Sequence, residues 1–258
     1  MQKVIIANWK MNPSTLKEAE RLFNNTIKAV SGVKKIGIVI CPPFVYLQSL
    51  KSLLSAKSHQ PKASLGGQNL FWEDTGAYTG EISGEMLYSV GAKYVIVGHS
   101  ERRAKGENNL EVNKKIKTAV KSGLTPIVCI GENLRDENHE YLNFIKKQIE
   151  ECLDKIPKDF LQKIIIAYEP IWAIGKGALP ATAEEFREMK IFIKKVLSDK
   201  FKTQTMGNVR IIYGGSVDEK NVQDFIENGQ ADGFLVGRAS LNPKKFGEII
   251  KICEALNN

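Results

Sequence analysis

Glu169 is the residue whose type and setting point most directly to acid–base chemistry. The apolar run 164–166 before it is typical of a buried parallel strand, and Pro170 ends that strand because proline has no N–H for the sheet ladder. The segment 170–176 is rich in large apolar side chains and leads into a Gly-x-Gly. We expect a carboxylate base on a rigid strand, with 170–176 as a hydrophobic lid hinged directly behind it. The alternative is an ordinary strand-to-helix connection with a solvated glutamate.

His99 has the setting of a proton donor. It follows a predicted strand and Gly98, and it heads the run 100–103, which could begin a helix. The positive potential at a helix N-terminus disfavours the imidazolium ion, so the side chain would stay neutral and able to donate a proton. The alternative is a core histidine that hydrogen-bonds to the backbone. His59 and His139 lie in polar segments and fit a structural or solvated role better.

Lys10 follows the first predicted strand closely, and strand alternation points Asn8 to the same side. A lysine supplies a compact positive charge for a phosphate or a developing oxyanion, and a desolvated lysine could instead form a Schiff base. An ordinary surface charge is the third interpretation.

Two glycine turns follow apolar runs near the end of the chain, one at 213–217 with Ser216 and one at 233–240 with Gly237. Backbone N–H groups at such turns can approach an anion closely, and a phosphate often binds between the last two loops of a closed barrel. A base, a neutral acid, a cation and a phosphate site together predict removal of a proton beside a carbonyl on a small phosphorylated sugar. We expect no metal and no cofactor.

Short apolar runs alternate with amphipathic segments along the whole chain. The strands and helices that this pattern predicts must position the candidate site residues. The predicted strands are 4–7, 36–41, 63–68, 94–97, 126–130, 164–168, 209–213 and 233–236. The predicted helices include 16–30, 109–120, 140–153, 183–197 and 222–227, with Thr182 and either Ser216 or Asp218 as helix starts.

Two architectures could hold eight such units, an open doubly wound sheet or a closed barrel. An open nucleotide-binding sheet should carry Gly-x-Gly-x-x-Gly after its first strand, and here that strand runs into Asn8-Trp9-Lys10. Polar residues end nearly every strand, and in a closed barrel these ends converge on one mouth. The sequence therefore predicts an α/β protein, a (β/α)8 TIM barrel, as a single domain over 1–258.

Composition excludes several other classes. Hydrophobic residues make up 43% and charged residues 26%, which is inconsistent with disorder. The four cysteines are far apart and form no CxxC, so neither a disulfide framework nor a zinc site is indicated. The net charge of +8 is spread along helical patterns without stacking aromatics. We expect no nucleic acid or membrane partner, and a cytoplasmic location.

Seven segments together resemble the triosephosphate isomerase family over essentially the whole chain. They are 8–12, 80–83, 98–103, 129–132, 167–175, 213–216 and 233–237. The resemblance implies a barrel that interconverts dihydroxyacetone phosphate and D-glyceraldehyde 3-phosphate, in glycolysis and gluconeogenesis, without a cofactor.

The resemblance also implies a role for each site residue. Glu169 would move the proton, His99 and Asn8 would hydrogen-bond the enediolate oxygens, and Lys10 would offset negative charge. The phosphate would be held chiefly by backbone N–H groups at Gly175, Ser216, Gly237 and Arg238. The lid would exclude water, because an exposed enediol phosphate can eliminate its phosphate.

The resemblance further implies a homodimer formed through the loop 67–80, with Thr79 reaching the neighbouring site. That loop carries Phe71, Trp72 and Tyr78, more apolar surface than a solvated loop should show.

Two features depart from the family pattern. Arg238 stands where the family commonly has a second glycine, so its side chain points away or adds a phosphate contact. The lid exit 177–182 is one residue longer than usual and contains Pro180.

Two other functions are compatible with the predicted barrel. In an aldolase-like reaction, Lys10 would form a Schiff base that borohydride traps. An inactive basic barrel would instead bind RNA or acidic proteins with a steep salt dependence.

Overall fold

Eight parallel strands close into a barrel in chain order in the computed structural model, which describes residues 2–55, 63–173, 180–202 and 209–257. Val4 pairs with Gly37 on one side and with Gly233 on the other, which closes the sheet. The (β/α)8 prediction is therefore confirmed. The strands are β1 Val4–Asn8, β2 Gly37–Cys41, β3 Ala63–Gly67, β4 Ala92–Val97, β5 Thr125–Ile130, β6 Ile165–Tyr168, β7 Arg210–Tyr213 and β8 Gly233–Val236.

Helices connect the strands. Those in the described residues are α1 Leu16–Ala29, α2 Leu47–Ser55, α3 Gly84–Ser89, α4 Ser100–Arg103, α5 Asn109–Lys121, α6 Glu140–Cys152, α7 Ala183–Phe201, α8 Val222–Glu227 and α9 Pro243–Ala255. Neighbouring helices pack side by side, and α9 contacts α1 as β8 contacts β1. Within the described ranges, no helix is long and apolar enough to cross a membrane.

Several predicted strand ends were wrong by one or two residues, whereas the bounds of β8 were confirmed. Ile36, Ile164 and Val209 are buried but precede the strands that they were predicted to begin. Burial and ladder pairing are separate properties, and an apolar pattern reports only burial. At the other end of β3, Gln68 lies outside the strand, and its amide donates to the carbonyl oxygens of Lys10 and Cys41.

The predicted helix start at Ser216 or Asp218 was also wrong. The Asp218 carboxylate accepts from the N–H groups of Lys220 and Asn221, and this turn precedes α8, which begins at Val222. Asp residues cap turns as readily as helices, because both present free N–H groups. Thr182 is confirmed as the N-cap of α7, in a capping box with Glu185.

Strand alternation divides the apolar core into two clusters. The barrel interior holds Val4, Ile6, Val39, Cys41, Ile96, Ile127, Cys129, Ile165, Ala167, Ile212 and Leu235. The intervening strand residues pack in the larger cluster with the helices. Because side chains alternate with a period of two, the interior face continues two residues further to Asn8, Glu169, Gly214 and Gly237. The barrel therefore delivers these four positions to its C-terminal mouth.

Candidate active site

The Glu169 carboxylate lies at the end of β6 with its side chain only 2% exposed. The Glu169 N–H donates to the Ile130 carbonyl, and Oε2 accepts from the Ser100 N–H at 2.9 Å. Oε1 lies 3.2 Å from His99 Nε2, yet it is buried and makes no hydrogen bond within the described part of the chain. A buried carboxylate oxygen with no hydrogen bond is placed to accept a proton from a bound molecule.

His99 is buried and caps α4 through its side chain. Its Nδ1 accepts from the Glu101 N–H at 3.2 Å. In a neutral imidazole, one ring nitrogen accepts and the other carries the proton, so this hydrogen bond assigns the proton to Nε2. The Nε2–H group is the one beside Glu169.

Lys10 is held in a left-handed backbone conformation, with φ of 53°. Its N–H donates to Asn8 Oδ1 at 3.0 Å, and Gln68 anchors its carbonyl at 2.8 Å. Its Nζ donates to Glu101 Oε1 at 2.6 Å. Partial burial alone would raise the pKa of Glu101, but the hydrogen bond and charge of Lys10 outweigh it and hold this pKa below its usual range. No role at the site was predicted for Glu101 or Gln68 from the sequence.

A cavity of about 660 Å³ joins these residues to the glycine turns, and its lining includes Asn8, Lys10, His99, Ser216, Gly237 and Arg238. A Cβ built on Gly237 would lie 3.9 Å from Lys10 Nζ, so the second turn and the ammonium group are adjacent. Gly237 precedes a 3₁₀ turn, Arg238–Leu241, whose first side chain is exposed. Six of the predicted site residues therefore share one cavity.

Glu169 lies beside this cavity, between His99 and the first glycine turn. A Cβ built on Gly214 would lie 2.9 Å from Glu169 Cγ. The predicted phosphate ligand Gly175 and the lid residues 174–176 lie outside the described residues. The described part of the lid forms a 3₁₀ turn, Ile171–Ala173.

A buried cluster around Glu132 supports the segment next to Glu169. Glu132 Oε1 accepts from the Tyr168 hydroxyl at 2.7 Å and from Trp172 Nε1 at 2.8 Å. Burial raises the pKa of the Tyr168 phenol, and the negative charge of Glu132 adds to the effect. No role of its own was predicted for Glu132 from the sequence. No local signal links it to Tyr168, which lies 36 residues away.

A second buried cluster supports the backbone before His99. Glu107 Oε2 accepts from the Gly98 N–H at 3.0 Å, and its Oε1 pairs with Lys115 and Arg102. Burial alone would raise the pKa of Glu107, but its hydrogen bonds and ion pairs with these two cations outweigh it and hold the pKa below its usual range. None of these three residues was predicted from the sequence to have this role.

The cysteines are all buried free thiols. Burial raises the pKa of Cys129 well above its usual value, and the charge of Glu169 raises it further. In the described ranges, no group of three or more His, Cys, Asp or Glu side chains could hold a metal ion.

Comparison with known proteins gives a consistent result. The family model described as triosephosphate isomerase matches residues 3–253. The chain is 44% identical to the triosephosphate isomerase of Dictyoglomus thermophilum, over 97% of this chain and 99% of the relative. It is 42% identical to that of Aquifex aeolicus with the same coverage. The crystal structure of triosephosphate isomerase from Bartonella henselae superposes with a TM-score of 0.84 at 30% identity, over 98% of this chain and 99% of the other. The chain belongs to the triosephosphate isomerase family.

Proposed function

We propose how this chain carries out the reaction of its family, the interconversion of dihydroxyacetone phosphate and D-glyceraldehyde 3-phosphate in glycolysis and gluconeogenesis. Glu169 takes a proton from the carbon beside the carbonyl and returns it to the neighbouring carbon. The observation that carries this assignment is the buried Oε1, which makes no hydrogen bond within the described residues and lies 3.2 Å from His99 Nε2.

His99 stabilises the enediolate as a neutral donor. Because Nδ1 already accepts from Glu101, the Nε2–H can donate to a substrate oxygen without adding a net charge. Asn8 also lines the cavity and binds the second oxygen. Lys10 supplies the positive charge that offsets the enediolate and the phosphate.

The phosphate binds at the two glycine turns. Ser216, Gly237 and Arg238 line the cavity and contribute backbone N–H groups, and Gly175 is the fourth proposed ligand. The closeness of Gly237 to Lys10 Nζ supports this arrangement, because it places the turn and the cation around one anion. A triose phosphate bound there extends from the turns toward His99.

The geometry disfavours the aldolase-like alternative. A Schiff base requires an amine free to attack a carbonyl carbon, whereas Lys10 Nζ is held by the Glu101 carboxylate at 2.6 Å.

The test is Glu169→Gln, assayed for conversion of glyceraldehyde 3-phosphate. We expect kcat to fall by about 10³-fold or more, with affinity for a phosphorylated substrate analogue largely retained. Glu188→Gln is the matched control, because it makes the same carboxylate-to-carboxamide change at an exposed position on α7. Its turnover and affinity should equal those of the parent. Parent-like turnover of Glu169→Gln would remove Glu169 as the base.

We also propose that the chain forms a homodimer through the loop 67–80, with Thr79 reaching the partner's cavity. The centroid of the Phe71 ring lies 4.3 Å from that of Trp72 and 4.7 Å from that of Tyr78, and Tyr78 is 45% exposed. Met11 and Val45, in the loops after two neighbouring strands, are 94% and 80% exposed. Apolar surface of this extent is typical of an interface.

Analytical ultracentrifugation tests the dimer. Tyr78→Asp should convert a dimer into monomers, because it places a charge within the proposed apolar interface. Phe144→Asp, at a side chain that is also 45% exposed, should leave the mass unchanged. A parent protein that sediments as a monomer would contradict the proposal.

We further propose that residues 1–258 form one domain that acts in the cytoplasm without a cofactor. The pairing of β1 with β8 and the packing of α9 on α1 support one domain, because both ends of the chain complete the same barrel. Four free thiols are typical of a reducing compartment.

A further inference from the structure

Arg135 lies in the connection between β5 and α6, and its side chain is only 19% exposed. Its Nη2 donates to the Tyr168 hydroxyl at 3.2 Å, and its Nε donates to Glu132 Oε1 at 3.4 Å. Its Nη1 lies 3.6 Å from Glu185 Oε1. One guanidinium group therefore contacts side chains from the ends of β5 and β6 and from the start of α7.

The same guanidinium stacks on two aromatic rings. Its Cζ lies 5.1 Å from the centroid of the Trp172 ring and 5.2 Å from that of the Tyr141 ring. Both distances fall within the range of cation–π attraction. Arginine suits this position because its planar group can stack and donate several hydrogen bonds at once, which an ammonium group cannot do.

Glu132 needs a cation. Its side chain is 2% exposed, and Oε2 is buried without a hydrogen bond to any described residue. Oε1 accepts from the Tyr168 hydroxyl and from Trp172 Nε1, and both of these donors are uncharged. A buried carboxylate without a compensating charge is strongly unfavourable, and Arg135 supplies that charge.

These contacts surround the catalytic glutamate along the chain. Tyr168 directly precedes Glu169, and Trp172 follows it by three residues. The Glu132 carbonyl also accepts from the Ile171 N–H at 3.0 Å. The backbone that carries Glu169 is thus attached on both sides to the cluster that Arg135 completes.

We propose that Arg135 is a positioning residue, whose guanidinium holds the Glu132–Tyr168–Trp172 cluster so that the Glu169 carboxylate stays aligned with His99 Nε2. The proposal rests on the role of Glu169 as the base. Nothing in the reaction requires Arg135 to touch the substrate, and it does not line the cavity. Its effect is expected on kcat more than on KM, because none of the side chains that Arg135 contacts lines the cavity where Ser216, Gly237 and Arg238 are proposed to hold the phosphate.

The test compares Arg135→Met and Arg135→Lys with the parent. Arg210→Met is the matched control, because Arg210 is a half-buried arginine at the N-terminal end of β7, remote from the mouth. We expect Arg135→Met to lower kcat by at least about tenfold, equivalent to about 1.4 kcal/mol, with KM changed by less than about threefold. The kcat of Arg135→Lys should lie between that of the parent and that of Arg135→Met, because lysine keeps the positive charge but lacks the planar group that stacks on the aromatic rings.

Tryptophan fluorescence reports whether the cluster around Trp172 is disturbed, and the change in kcat relative to KM shows whether the disturbance reaches Glu169. We expect Arg135→Met to shift the emission of the folded protein, because Trp172 loses the stacked cation. The shift should vanish in a Trp172→Phe background, where only Trp9 and Trp72 emit. Circular dichroism and thermal unfolding establish the folded fraction of each variant.

Three results would overturn the proposal. These are a parent-like kcat of folded Arg135→Met, a rise in KM at constant kcat, or a loss of turnover no greater than the loss of folded protein. If Arg135→Met does not fold, the test rests on Arg135→Lys. A parent-like kcat with parent-like Trp172 emission in this variant overturns the proposal. A lowered kcat with shifted Trp172 emission supports it. Glu169→Gln separates the role of Glu169 from that of Arg135. Parent-like turnover of Glu169→Gln would refute Glu169 as the base, whatever the turnover of Arg135→Met.

Discussion

Gly214→Ala tests how closely the barrel fixes the position of Glu169, the proposed base. The Gly214 N–H donates to the Tyr168 carbonyl at 2.8 Å, which places this glycine against the end of β6. An added Cβ would lie 2.9 Å from Glu169 Cγ and 3.3 Å from the Tyr168 oxygen. The Gly214 φ lies outside the left-handed region, so alanine meets a steric obstacle and no backbone penalty.

The size of the effect follows from these distances. Carbon atoms are at their optimal separation at about 3.5–4.0 Å, so Glu169 Cγ must move by roughly 0.6–1 Å. A misplacement of about 1 Å in a catalytic group can lower the rate by about 100-fold, equivalent to about 2.7 kcal/mol in the activation free energy. The free energy of unfolding should fall by about 1–3 kcal/mol, as for other overpacked sites.

The assay measures kcat and KM for glyceraldehyde 3-phosphate, together with urea unfolding. Gly37→Ala is the matched control, because its Cβ would meet only ordinary contacts of 3.5 and 3.6 Å at the opposite end of the barrel. We expect kcat of Gly214→Ala to fall about 100-fold with little change in KM. A kcat within about twofold of the parent would refute the reasoning that the base has no room to move.

His99→Gln should lower kcat by about 100-fold or more with a smaller change in KM, because the Nε2–H stabilises charge that develops only in the transition state; an increase in KM alone would contradict this. Nitrogen NMR of the free enzyme should show His99 protonated at Nε2 and not at Nδ1, as the hydrogen bond from Glu101 requires, and the opposite tautomer would count against the proposed donor. Glu107→Gln should lower the free energy of unfolding at pH 7 by about 3–5 kcal/mol, because Lys115 loses its buried partner. Since the native pKa of Glu107 lies below its unfolded value, its carboxylate stabilises the fold above the unfolded pKa, and this contribution is lost as the pH falls through the native pKa. Urea unfolding at pH 7 and at pH 3 should therefore show the difference between Glu107→Gln and the parent shrinking in acid, and an equal difference at both pH values would exclude the ion pair as its cause.

The strands were predictable, and candidate site residues could be proposed, because each has a local signature. A parallel strand buried on both faces is a short apolar run, and the polar residue after it marks the mouth of the barrel. Asn8, Lys10, His99 and Glu169 were proposed in this way. The Thr182–Glu185 capping box was equally local, because both of its hydrogen bonds lie within one helical turn.

The supporting residues were not predictable, because their partners are distant in the chain. Glu132 and Tyr168 are 36 residues apart, and Lys10 and Glu101 are 91 apart. Neither apolar periodicity nor a motif specifies which polar side chains meet across a barrel. Arg135 stands in a polar connection and resembles any solvated arginine until the fold brings Trp172 and Tyr141 beside it.

The amino-acid sequence alone determined the alternation of strands and helices, the family, and the identity of a carboxylate, an imidazole and an ammonium group as reactive candidates. Only the tertiary structure decided that Glu169 Oε1 lies 3.2 Å from His99 Nε2, and that Glu101 both fixes the histidine tautomer and pairs with Lys10. The physical reason is that periodicity along a chain reports which residues are buried. Distances between remote side chains depend on strand register and on closure of the barrel, which arise only when all eight strands are assembled.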